Sequence, residues 1–261
     1  MFVDSHCHLD MIDLERFKGS FDDVLGAARG AHIEHMLCVS VNLEDYPRMR
    51  ALVEDQPDVS VSVGVHPNET EGEEPTVERL IEAAHDPRVV AVGETGLDYY
   101  RSEPEHIAAQ QARFRRHIAA ARAVHKPLII HTRDAKLDTL RILHEEGADQ
   151  VGGVLHCFTE DWEMAQAGIA MGFAISFSGI VTFKNAVELK EVARRVPTDW
   201  LLIETDSPYL APVPHRGKLN HPALVVHVAD HLAELRETTV ERIAEVSRNN
   251  FYRIFGRGGG H

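Results

Sequence analysis

The chain has 261 residues, 44% hydrophobic and 26% charged, with a formal net charge of −14. That charge argues against a protein that grips long duplex nucleic acid through a basic face, but it leaves room for an enzyme that meets phosphate through bound cations, which reverse the local field. Cys7, Cys38 and Cys157 are odd in number and lack CxxC spacing, which argues against a disulfide framework or a thiolate zinc knuckle.

In chain order, short apolar and β-branched runs recur: Phe2 to Leu9, Met36 to Val41, Val59 to Val65, Val89 to Gly93, Leu128 to His131, Gly153 to Phe158, Phe173 to Phe177 and Leu201 to Glu204. Between most of them lie segments of helical period. Glu105 to Val124 repeats Ile107, Phe114, Ile118 and Ala121, and Ala135 to Glu146 repeats Leu137, Leu140, Ile142 and Leu143. Strands alternating with helices predict parallel βαβ units. About eight strands with a closing helical region from Pro222 to Phe255 match an α/β fold of the (β/α)8 TIM-barrel type, spanning residues 1–261 as one domain. An open doubly wound sheet is the competing architecture. Gly256 to His261 reads as a frayed tail.

The strand ends carry the chemistry. The first run ends in His6-Cys7-His8, and residues i and i+2 of a strand share a face, so both imidazoles can reach one cation. The third ends in His66, the fourth in Gly93-Glu94-Thr95-Gly96-Leu97-Asp98, the fifth in His131-Thr132-Arg133, the sixth in His156-Cys157 and the eighth in Glu204-Thr205-Asp206. A barrel gathers these ends around one mouth. Imidazole with carboxylate and no thiolate suits an open hydrolytic metal site better than a closed structural zinc site. Two ions need a shared ligand. Glu94 is the natural bridging carboxylate, with His6, His8, His131, His156 and Asp206 completing the shells. By alternation, Cys7 and Cys157 are expected to turn away from the mouth as small buried residues.

The segments Asp4 to Asp10, Gly93 to Tyr99, His131 to Arg133, His156 to Phe158 and Glu204 to Leu210 resemble, in order and spacing, the signatures of the TatD family of metal-dependent deoxyribonucleases in the amidohydrolase superfamily. The resemblance implies a distorted TIM barrel, two or more divalent ions, and phosphodiester hydrolysis, often 3′ to 5′ on single-stranded DNA. It also implies a division of ligands: His6, His8 and Asp206 to one metal, His131 and His156 to the second, Glu94 between them. Two motif positions depart from the family pattern. His221 stands in Arg216-Gly217-Lys218-Leu219-Asn220-His221-Pro222 where Glu is usual, and Glu160 follows Thr159 where Gly is common.

The expected reaction is hydrolysis by metal-activated water, with two divalent ions (Mg2+, Mn2+ or Zn2+) and with Glu94 and Asp206 as catalytic carboxylates, Asp206 orienting the water and taking its proton. His66, Arg133 and Arg216 are expected to bind substrate, Arg133 by pairing its guanidinium with phosphate. Lys218 would share a basic rim with Arg216, and Tyr99 or Tyr100 could stack on a base. The remaining histidines, among them His32, His35, His85, His106, His117, His125, His144, His227 and His231, read as surface residues. The expected partner is single-stranded DNA, with no membrane and no obligate protein partner, in the cytoplasm. The rival readings are hydrolysis of an amide or ester, such as deacylation of a D-aminoacyl-tRNA, and a non-catalytic metal scaffold.

Overall fold

The computed structural model describes residues 1–100 and 102–256. The chain runs β1 (Phe2–Cys7), α1 (Leu14–Phe17), α2 (Phe21–Gly30), β2 (Ile33–Cys38), α3 (Tyr46–Leu52), β3 (Val59–Val63), α4 (Val77–Ala84) and β4 (Val89–Asp98). It continues through α5 (Pro104–Val124), β5 (Leu128–Arg133), α6 (Lys136–Glu145), β6 (Gly153–Leu155), α7 (Trp162–Ala170), β7 (Phe173–Phe177), α8 (Val187–Arg195) and β8 (Leu201–Ile203). The last helices are α9 (Val225–Leu235) and α10 (Val240–Phe255). Most of the expected tail, residues 257–261, lies outside the described residues.

The strands form one parallel sheet in chain order, β1 through β8. The sheet then curls back on itself. His6 O accepts the Asp206 N–H at 2.9 Å, Ser207 O accepts the His8 N–H at 2.8 Å, and Cys7 pairs with Ser207 in a parallel bridge. Deeper in the seam, the Asp4 carboxylate accepts the Thr205 N–H at 2.8 Å and its hydroxyl at 2.5 Å. Eight parallel strands therefore make a nearly closed (β/α)8 barrel, and the open doubly wound alternative falls.

Two apolar layers follow from strand alternation. Val3, Leu37, Ala91, Ile129, Val154, Ala174 and Leu202 fill the barrel interior, and Phe251 and Phe255 of α10 pack with them at its floor. The residues between, such as Met36, Val61, Val92, Ile130, Leu155, Ile175 and Ile203, face the helices. Helix starts carry local signals: Ser20 and Asp23 form a reciprocal capping box at α2, and Thr76, Asp161 and Thr239 cap α4, α7 and α10.

Several boundaries differ from the sequence reading. β2 begins at Ile33, three residues before the expected Met36, because Glu34 and His35 interrupt the apolar run that marks a buried strand. β4 runs on past the apolar stretch Val89 to Gly93 and reaches Asp98, so the polar motif at its end is itself strand. Two histidines expected at the surface are buried. His35 lies 2.6 Å from the Ser60 hydroxyl, and His117 on α5 accepts the Val65 N–H at 2.9 Å while its other ring nitrogen meets Arg113 O at 2.8 Å. No helix among the described residues is long and apolar enough to cross a membrane.

Candidate metal centre

Strand register decides which side chains reach the mouth. β5, β6 and β8 alternate regularly: Ile129, Val154 and Leu202 face inward, and two residues further His131, His156 and Glu204 do the same. β1 and β4 do not. Val3 and Ala91 face the interior, whereas Cys7 and Leu97, an even number of residues later, face the helices. In each strand the pairing register shifts in between, from Asp4 to Cys7 in β1 and from Val92 to Thr95 in β4. Such irregularities re-aim side chains. Here they turn His6, His8 and Glu94 into the mouth. The expectation that His6 and His8 share a face and Cys7 turns outward is met, with the Cys7 thiol 3.4 Å from Leu37 O in the outer layer.

The donor atoms converge in two nests. His6 Nε2 lies 3.3 Å from His8 Nε2, 3.3 Å from Glu94 Oε2 and 3.7 Å from Asp206 Oδ1. His8 Nε2 lies 3.7 Å from Glu94 Oε2 and 3.5 Å from Asp206 Oδ1. Ligand bonds of about 2.1 Å at tetrahedral angles would separate the ligand atoms by about 3.4 Å. The first nest has that spacing. The second gathers on the other oxygen of the same carboxylate: Glu94 Oε1 lies 2.8 Å from His156 Nε2, 3.2 Å from His131 Nδ1 and 3.3 Å from His66 Nε2. The donor set fits divalent metal ions, with Glu94 facing both nests. His156 also stacks on His6 with ring centroids 3.8 Å apart, which puts it on the boundary between the nests.

Outer hydrogen bonds orient the rings, as ligand histidines require. His8 Nδ1 meets Val39 O at 2.9 Å, His156 Nδ1 meets Glu204 Oε1 at 3.3 Å, and His131 Nε2 meets Asp98 Oδ2 at 3.2 Å. Each acceptor keeps a proton on the far nitrogen, so the nitrogen facing the nest is the one a cation would take by displacing its proton. His66 is wired the opposite way. Its Nδ1 accepts the Asn68 N–H at 3.0 Å, so the neutral ring carries its proton on Nε2, the atom facing Glu94 and the cavity. Proximity alone groups His66 with the ligands. Its tautomer makes it a hydrogen-bond donor.

The electrostatics favour cations. Burial alone would raise Glu94, but His156, His66 and His131 hold its carboxyl well below the usual range. Burial is likewise overcome at Asp206 by the His8 hydrogen bond and by the His6 and His156 charges. Burial would lower His8 and His156, yet the neighbouring carboxylates push His8 up to about 9 and His156 well above its ordinary value. Ionised oxygens among basic imidazoles hold a divalent cation by the same attraction.

The nests floor a cavity of about 800 Å³ whose walls include Met11, Asn68, Arg133, Ile180 and Tyr209. The Arg133 guanidinium stacks on the Tyr100 ring at 3.8 Å from its centroid and makes no ion pair with a described residue. Tyr99 is committed to packing, its hydroxyl donating to Asp138 at 2.8 Å. Arg216 lies away from this cavity, with its guanidinium 4.3 Å from the centre of the Phe183 ring.

One cysteine departs from the expectation. β6 ends at Leu155, and Cys157, at φ +42°, turns into the cavity wall with Sγ 3.2 Å from the Ser178 hydroxyl. Burial pushes its thiol well up, so it is no thiolate nucleophile. Sequence reasoning also passed over Asp98, Glu204, Asn68 and Tyr209. The first two were legible as polar residues within the strand-end motifs; nothing in spacing marks the others.

A barrel mouth that gathers imidazoles and ionised carboxylates into an open cavity defines a metal-dependent hydrolase. The chain belongs to the TatD family: the family model for TatD related DNase matches residues 3–256. An uncharacterized metal-dependent hydrolase, YcfH of Escherichia coli K12, is 52% identical over 253 residues, covering 97% of this chain and 95% of the relative. The 3′-5′ ssDNA/RNA exonuclease TatD of Escherichia fergusonii is 32% identical, covering 92% of this chain and 95% of that one. Among solved structures, the TatD homologue YJJV of E. coli superposes with a TM-score of 0.89 at 27% identity, with 97% of each chain covered.

Proposed function

We propose that this hydrolase cleaves phosphodiester bonds of DNA, as a 3′ to 5′ exodeoxyribonuclease on single-stranded ends. The observation that carries the reading is the pair of donor nests sharing Glu94 beneath a cavity whose rim holds the Arg133 guanidinium, which makes no ion pair with a described residue. The name of the E. fergusonii relative supports the choice of nucleic acid.

In this reading His6, His8 and Asp206 would hold one divalent ion and His131 and His156 a second, with Glu94 shared between the two nests. Two such ions, Mg2+, Mn2+ or Zn2+, would supply a water acidic enough to react at neutral pH and would neutralise charge on the phosphoryl group. Glu94 fixes the spacing of the two nests. Asp206, ionised and lining the cavity, orients the attacking water and takes its proton, while the P–O3′ bond breaks and the departing 3′ oxygen takes a proton from solvent. Arg133, held planar on Tyr100, pairs with the phosphoryl oxygens as charge builds. His66 donates its Nε2 proton to one of the same oxygens. Tyr209, 55% exposed at the rim, offers a face on which an unpaired base can stack.

The experiment sets a small phosphodiester beside an aryl ester and a D-aminoacyl ester, each with the metal-loaded protein and its Glu94→Ala variant. Turnover of the diester alone, lost in the variant, is expected. Faster turnover of either carboxylic ester would replace this reading with the amidohydrolase one.

A further inference from the structure

A second concavity, of about 530 Å³, opens between α1 and the segment that follows the Asp206 motif. Its polar lining is Arg16, His215, Lys218 and His221, with Phe17 and Leu219 as apolar walls and no carboxylate. In a chain of net charge −14, a cavity lined only by basic and neutral groups is out of keeping with the rest of the surface. Neither Arg16 nor Lys218 makes an ion pair with a described residue. His221 Nδ1 is buried without a partner, and its ring meets Phe17 edge-on at 5.2 Å. Burial first, and then the nearby His227 and Lys218, hold His215 below its ordinary imidazole range.

The pocket is built rather than incidental. Asn220, fully buried, donates to Thr205 O at 2.9 Å and to Tyr209 O at 2.5 Å, which ties the basic segment to the one carrying Asp206. The two cavities are also neighbours. Tyr209 and Met11 line the metal cavity and touch each other at 3.9 Å, and the segments carrying them continue into His215–His221 on one side and Arg16–Phe17 on the other.

We infer that this pocket is a second phosphate site, which holds a backbone phosphate of the same DNA strand whose terminal bond lies over the metal centre. The inference rests on the phosphodiesterase reading. Arg16 and Lys218 supply charge, the imidazoles supply hydrogen bonds, and Phe17 with Leu219 supplies an apolar wall for the adjoining sugar or base. His221 matters because the family motif usually has Glu there, and a carboxylate at this wall would repel the anion. The site also gives the enzyme a reason to prefer strands longer than the few nucleotides the metal cavity holds.

The test is metal-free binding, so that cleavage plays no part. A labelled single-stranded 12-mer is titrated in chelator, followed by anisotropy, over a range of salt. Wild type is expected to bind, inorganic phosphate to compete, and Arg16→Ala/Lys218→Ala to bind roughly five- to tenfold more weakly, with a salt slope shallower by about one to two. His221→Glu, which carries the residue the motif accommodates, is expected to weaken binding in the same direction. Equal affinity and equal slope in wild type and variants, or no detectable binding by wild type, would overturn the inference. Hydrolysis of the small diester by metal-loaded wild type reports separately on the phosphodiesterase reading, so the two can fail independently.

Discussion

In the proposed centre Glu94 would act through the separation of its two oxygens, one for each nest, and the histidines around it through the partner on their far nitrogen. Glu204 shows what such a partner contributes. It accepts from His156 Nδ1 at 3.3 Å and from the Cys157 N–H at 2.8 Å, so it fixes both the ring and the turn that follows it. Glu204→Gln keeps the shape and removes the charge. We expect metal affinity, read by competition with a chelating dye, to fall about 10–100-fold while the fold persists. Unchanged affinity would show that His156 is oriented without it. The six proposed ligands were legible because strand ends otherwise rich in Val, Ile and Leu carried His, Glu and Asp at matching places. The inverted wiring of His66 was not, because it depends on a backbone N–H of Asn68 that no residue type advertises.

At the scale of elements, the mouth depends on two strands that break alternation and on one helix beneath them. Plain alternation from Ala91 would point Glu94 at the helices, and the register shift of β4 reverses it. Gly93 lies within it: at φ +147°, a Cβ there would stand 2.6 Å from Ile129 O, so β4 and β5 can approach at the shift only with glycine. The glycines were visible in the sequence. The shift in β1 had no such marker, since Ser5 and His6 are ordinary strand residues. Helix α5 sets the next segment. His117 receives the Val65 N–H, and Arg113 donates to His66 O at 2.7 Å and Glu69 O at 2.8 Å, so the turn bearing His66 is anchored from below.

His117 also makes stability depend on pH. Burial lowers it from 6.5 to about 4, and it does the same to His35. Between those values the unfolded chain binds more protons than the folded one, so stability is full above about pH 6.5 and falls as the pH drops toward 4. Each group accounts for about 3 kcal/mol over that window. His117→Leu leaves the Val65 N–H unpaired, at a cost of roughly 1–3 kcal/mol at pH 7. It also removes one of the two acid steps. Urea unfolding at pH 7 and pH 5 is expected to show the variant losing less stability on acidification than wild type; parallel losses would exclude His117 as a source of the step.

Over the whole molecule, the net charge of −14 and the local chemistry of the mouth act together. Most of the surface repels a polynucleotide. In the proposed reading the metal ions, Arg133 on Tyr100, and the Arg16–Lys218 pocket would draw a strand, and the residues concerned lie on one face of the barrel. That arrangement favours a strand end entering the mouth over a duplex lying along the surface. The barrel itself was legible from eight apolar runs alternating with helices. Its floor was less so, because Phe251 and Phe255 of the last helix read only as a periodic face until the strands above them were placed.

The central claim is that the Glu94-bridged cluster holds divalent ions that cleave DNA from a 3′ end. A time course on a 5′-labelled single-stranded oligonucleotide, with Mg2+, Mn2+ or Zn2+ and with chelator, tests it most directly. The account predicts a ladder shortening stepwise from the 3′ end with metal and none with chelator. An intact strand with every metal, or cleavage that persists in chelator, would contradict it.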